Sequence, residues 1–257
     1  MLSRKIDQKR ELRKRIINNT EFAPRCCICD PISGRFCGRP TMRAESTGLA
    51  AFHCRKHVEH KARHGSHWHG TYSAAELKPY LAAAISYVRL RAESDRFIKT
   101  ALNAIALLLE EAGPTEIATR LKGISAAKRA RIALARLRVA RIKPERFVAI
   151  VLAVTALIEE DPESHRTKEF RMVQIAKALH RLASGTHKVW EIEGYNGRKL
   201  RTELHAFPRS SGPVLRLIGK AIEQPCEWVV EKHLSAVLAL KMKRYGRHPQ
   251  LLAQGRG

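Results

Sequence analysis

No stretch of this sequence is long and apolar enough to cross a bilayer. The longest apolar run, FVAIVLAVTALI at 147–158, has the length of a core helix, so no membrane partner is expected. The opening LSRKIDQKRELRKR is charged and contains no apolar h-region. A secretory signal is therefore not expected, and neither is the oxidising compartment that disulfides need. The expected setting is cytoplasmic, in a bacterial or phage-infected cell. Acidic residues are scarce: 24 Asp and Glu face 48 Lys and Arg, a formal charge of +24. Enzyme signatures are missing too, with no P-loop, no HExxH and no nucleophile elbow. His57-Val58-Glu59 and Cys26-x2-Cys29 imitate the H-x-E and C-x2-C of zinc deaminases, but in reversed order, and Arg25 separates Pro24 from Cys26. A zinc-stapled His–Asn–His nuclease is the remaining enzymatic rival. It needs a His or Asp beside a second metal, and no Asn-His partner follows. Internal repeats are not visible.

What is present is a globular composition, 44% hydrophobic against 28% charged over 257 residues, enough for one or two domains. An excess of 24 positive charges costs a compact chain stability through self-repulsion. A polyanionic partner offsets it, and nucleic acid is the commonest.

Five of the six cysteines fall within Cys26–His57, CCICDPISGRFCGRPTMRAESTGLAAFHCRKH; Cys226 stands alone downstream. Two patterns are nested there. One takes Cys29, Cys37, Cys54 and His57; the other takes the tight pair Cys26 and Cys29 with Cys54 and His57. Either supplies three thiolates and one imidazole, a set suited to one structural Zn2+ held tetrahedrally. Close pairs chelate because two ligands on one turn lose little entropy on binding. Cys29-DPISGRF-Cys37-Gly-Arg-Pro, Cys54-Arg-Lys-His57 and then His69-Gly70-Thr71-Tyr72-Ser73 resemble the Cys3His module of small basic phage and prophage proteins. The resemblance covers residues 25–76. It implies Cys29, Cys37, Cys54 and His57 as ligands, with Cys26 as the alternative, and it implies no defined activity. The chain departs from the family after the last ligand, where Val58-Glu59 replaces a usual Gly-Gly.

Along the chain, residues 3–18 read as a basic arm carrying Arg10 and Arg13. A helix from about Thr47 would place His53, His57, His60 and His64 on one face, with only His57 a ligand and Trp68 a hydrophobic plug. Ser73-Ala-Ala-Glu76 is a capping box that opens a helix to about Arg91, with Pro79 inside it. A further helix spans about 95–112. The segment 120–146 is the most basic, and Ser125 can cap a helix through about Arg141. Lys128, Arg129, Arg131, Arg136, Arg138 and Arg141 lack interleaved Glu, so phosphate contact is expected of them. Pro144 starts a helix to about Glu160 that is apolar nearly all round, the central core helix. A helix at about 163–183 follows, then a hairpin of 188–193 and 199–207 turning at Asn196-Gly197. Helix followed by hairpin is the outline of a winged helix. Two more helices, to Ile222 and from about Pro225 to Arg244, bring a buried Cys226 and a core His233.

The expected fold is mainly α: a helical bundle with an N-terminal zinc module and a C-terminal helix–β-hairpin–helix part. The expected division is an arm at 1–20, a zinc module at 21–70, a helical body at 71–160 and an α+β part at 161–257 ending in a disordered tail. The expected function is zinc-stabilised binding of nucleic acid, double-stranded DNA first. The second reading, from a different class, is a protein–protein adaptor or virion component, a homo-oligomer or one with an acidic partner.

Overall fold

The computed structural model describes residues 25–29, 34–41, 52–116, 123–183, 187–205 and 210–248. The expected basic arm with Arg10 and Arg13, and the tail beyond 248, lie outside them. The chain divides into two compact units, Met1–Gly70 and Thr71–Gly257.

In the first unit two antiparallel bridges, Arg25↔Pro40 and Cys29↔Phe36, hold the cysteine-rich segments side by side. Helix α1, Arg55–His64, follows and ends at Gly65, whose φ of 77° is a left-handed cap that glycine adopts without a Cβ clash. The helix therefore starts later than the sequence pattern proposes. Cys54 is its N-cap, so His53 lies outside the helix, and the expected face of four histidines does not form.

The second unit is helical: α2 (Ala74–Arg91), α3 (Arg96–Glu110), α4 (Ala126–Val139), α5 (Pro144–Glu160) and α6 (Lys168–His180). The hairpin of β1 (His187–Glu193) and β2 (Lys199–His205) follows, then α7 (Gly212–Glu223) and α8 (Glu227–Tyr245). Short polar side chains start the helices by satisfying first-turn N–H groups. Ser73 and Glu76 form the capping box of α2, Asp95 accepts from Phe97 and Ile98, Ser125 accepts from Lys128, and Thr167 accepts from Phe170. Pro79 sits within α2, which runs unbroken past it.

Helix α5 is the core. Every residue from Phe147 to Ile158 is buried, and α2, α3, α6, α7 and α8 pack round it. Helices α6 and α7 touch so closely at Gly219 that an added Cβ would collide with the Met172 backbone. Helix α8 returns onto α2 and α5, within the compact unit Thr71–Gly257. Buried polar groups lock that return. Glu160 accepts hydrogen bonds from Lys241 Nζ, from Tyr80 Oη (2.6 Å) and from the His248 N–H (3.0 Å). The Lys241 ammonium also lies 4.4 Å from the Tyr80 ring centre. His233 is a core histidine between Tyr87 Oη (3.0 Å) and Asp95 (3.2 Å). Burial, and then Glu223, push the Cys226 thiol up to about 12, so it is inert.

The hairpin pairs Trp190 with Thr202 and Ile192 with Leu200, and Gly197 at φ 68° turns it. Strand alternation puts Trp190, Ile192 and Leu200 on one face, and all three are exposed. Among the described residues no helix is long and apolar enough to cross a membrane.

Candidate metal centre and basic surfaces

Cys26, Cys37, Cys54 and His57 converge, with their ligand atoms all within 4.8 Å of one another. Two local structures bring them there. Cys54 caps α1 and His57 lies on its first turn, with the His57 N–H donating to the Cys54 carbonyl (3.0 Å). The bridged segments supply the other two. The Cys26 N–H donates to the Arg39 carbonyl (2.8 Å) and the Cys37 N–H to the Ile28 carbonyl (2.9 Å).

That register decides which cysteines join. Residue 26 faces 39, 28 faces 37 and 29 faces 36. Side chains alternate along an extended segment, so Cys26 and Cys37 share one face while Cys29 points from the other. The ligand set implied by the family resemblance is corrected at one position: Cys26 stands where Cys29 was expected. The tight Cys26–Cys29 pair is also not used as a pair.

The distances suit a tetrahedral ion. Sulfur ligands at about 2.3 Å and a nitrogen at about 2.0 Å would place sulfurs about 3.8 Å apart and sulfur about 3.5 Å from nitrogen. Cys37 and Cys54 Sγ are 3.8 Å apart, and His57 Nδ1 lies 3.4 Å from Cys54 Sγ and 3.1 Å from Cys26 Sγ. All these cysteines are free thiols. Burial, then Lys56, His60, Arg39 and His53, hold the His57 imidazole below its ordinary value, which favours the neutral form a metal requires.

The remaining histidines form no second cluster with metal-ligand geometry among the described residues. His53 stacks on His67 at 4.0 Å, with its Nε2 3.9 Å from Cys27 Sγ. His60 stacks on His64 at 4.4 Å and hydrogen-bonds the Ser66 carbonyl (2.9 Å).

The basic helix α4 differs from the expectation of free charges. Lys128 pairs with Glu116 (2.9 Å). Arg129 reaches Ser211 Oγ (3.5 Å). Burial depresses the Arg136 guanidinium, whose charge adds to burial in holding His180 down to about 4. Arg138 donates to the carbonyls of Leu109 (3.2 Å), Glu110 (2.9 Å) and Gly113 (2.6 Å), closing the C-terminus of α3. Only Arg131 and Arg141 of the six expected contacts are exposed and without a carboxylate partner among the described residues. The reason is geometric: α4 buries Ala130, Ile132, Ala133, Leu134, Ala135 and Leu137, a band too wide to leave every arginine facing water. Arg138→Ala should therefore lower stability by about 1.5–3 kcal/mol, the range for hydrogen bonds from a charged group. Arg131→Ala should change it by less than about 0.5 kcal/mol in the same urea titration.

The sequence reading named Arg141 but not the cluster that Arg89, on another helix, completes. Arg89, Arg141, Lys143 and Arg146 line a cleft of about 510 Å³ with Ile85, Ile142 and Leu182, and Glu145 is the one acid on its wall among the described residues. Two of these cations, Arg141 and Lys143, lie on the turn after α4, where Arg141 takes φ 55°, and Arg146 lies on the first turn of α5. The Arg141 N–H bonds the Arg138 carbonyl and the Ile142 N–H bonds that of Leu137, a Schellman closure with arginine where glycine is usual. The clue in the sequence is a helix ending without the expected glycine.

Neither a family model, nor a curated relative, nor a solved structure matches this chain.

Proposed function

We propose that this chain is a zinc-stapled nucleic-acid-binding protein that contacts the phosphates of double-stranded DNA through the turn between α4 and α5. One observation carries the reading. Four cations line one cleft there, and none of them has a carboxylate partner among the described residues of a chain with a formal charge of +24. An arginine in the left-handed region costs about 1–2 kcal/mol, so its persistence at position 141 supports a use for its side chain. Three thiolates and an imidazole favour zinc, and four protein ligands leave no open position, so zinc would serve as a staple and not as a catalyst. The phage or mobile-element setting rests on the resemblance of residues 25–76.

A protein adaptor or virion component is favoured by a different observation, the exposed apolar face of Trp190, Ile192 and Leu200 on the hairpin. Binding as a function of salt separates the two. Duplex affinity should fall with a log–log slope of about −0.9 per phosphate contacted. Joint replacement of the exposed Arg89, Arg141 and Lys143 by Glu should weaken binding to all sequences at least about tenfold and flatten the slope by roughly 2 to 3. Unchanged duplex affinity in that variant would give the lead to the adaptor.

A further inference from the structure

We infer that the metal-bearing unit holds a binding site for an unpaired nucleobase and its flanking phosphates. The inference rests on the reading of the chain as a nucleic-acid binder and names a ligand for a second surface, in the unit that the duplex contacts do not use.

The site is a cleft of about 450 Å³, within the size range of small-ligand pockets. Arg35, Phe36 and Arg39 reach it from the bridged segments, Lys56 and His60 from α1, and Trp68 from the turn beyond. Among the described residues no Asp or Glu lines it, and Arg35, Arg39 and Lys56 have no carboxylate partner. Phe36 is 71% exposed, an unusual cost for an aromatic ring on so small a unit. Aromatic rings beside unpaired cations are the chemistry of single-strand recognition: the rings stack on a base and the cations hold the backbone. A duplex stacks its bases on one another and offers only their edges, so this surface selects unpaired bases. An acidic peptide would satisfy the cations and leave the rings unused.

The metal site is built into the cleft. Cys37, next to Phe36, lines it from the bridged segment, and His57, next to Lys56, lines it from the helix. Holding these two ligands on one ion would tie the two walls of the cleft together.

The test uses the full-length protein with Trp190→Phe and Trp228→Phe, which leaves Trp68 as the one indole of three. The probes are oligothymidylate, an abasic strand and a duplex of equal length, and poly-glutamate. Oligothymidylate should quench Trp68 and bind about tenfold more tightly than the abasic strand. Phe36→Ala should remove that advantage with zinc content and duplex affinity unchanged, and Phe36→Tyr should restore it. Equal binding of the abasic strand, an unaltered Phe36→Ala variant, or poly-glutamate binding as tightly as oligothymidylate would each overturn the inference while leaving duplex binding standing. Absence of binding to strand and duplex alike would remove the proposed function as well.

Discussion

Cys54→Ser and Cys26→Ser should each abolish retention of zinc and unfold the first unit, whereas Cys29→Ser should leave about one zinc per chain. The expected effect is large because the described residues of the unit have little else to fold around. Among its described residues the only buried apolar side chains are Cys26 and Cys54, both in the ligand cluster, and α1 buries no residue. Residues that share so little buried apolar surface depend on a metal or a disulfide to hold them, and none of the described cysteines is in a disulfide. Structural zinc supplies about 10–16 kcal/mol of apparent binding energy to such modules, more than the total stability of most domains. Elemental analysis gives the metal content, and amide exchange shows which unit opens. A chelator should reproduce the Cys54→Ser pattern, with protection lost in the first unit and kept in the helices of the second. A metal-free protein with a fully protected first unit would sink the centre. Zinc lost from Cys29→Ser and kept by Cys26→Ser would restore the ligand set implied by the family resemblance.

The helices were legible because their signals are local. Ser73 with Glu76, Pro144 at a first turn and Asn196-Gly197 between alternating strands each act within four residues. The choice among cysteines was not legible, since spacing brings Cys29 as near to Cys37 as Cys26 and only the pairing register places them on opposite faces. The roles of Arg136 and Arg138 were hidden for a related reason. Arg136 is half-buried with its charge acting on His180, and Arg138 donates to the end of α3, both far away in sequence, so a dense basic helix read as unpaired charge. The buried residues of α8 did carry a signal: Val229, His233, Val237 and Lys241 recur every four positions. A histidine and a lysine on that stripe required polar partners, which the structure supplies as Asp95 with Tyr87 and as Glu160.

Lys241→Met should cost the second unit about 3–5 kcal/mol at neutral pH, because it strands the Glu160 carboxylate in the interior. Lys241 and Glu160 side chains are 2% and 8% exposed, so water cannot take over the missing hydrogen bond. Adding Glu160→Gln should recover much of the loss, since replacing both members of a buried pair is far cheaper than orphaning one. The pH dependence has a fixed sign. Burial pushes the Glu160 carboxyl up, but Lys241, Tyr80 and the His248 N–H together hold it below its ordinary value. A depressed carboxylate contributes stability that is complete above its unfolded-state value and is lost as pH falls through its folded-state value. The wild type should therefore weaken on acidification below the ordinary carboxylate range. In Lys241→Met the same proton relieves the stranded charge, so the gap between variant and wild type should be widest at neutral pH and shrink towards about pH 4. Urea unfolding at both pH values reads the gap. A gap of constant size would mean that Lys241 stabilises α8 through its place over the Tyr80 ring, and that the charge pair with Glu160 contributes nothing.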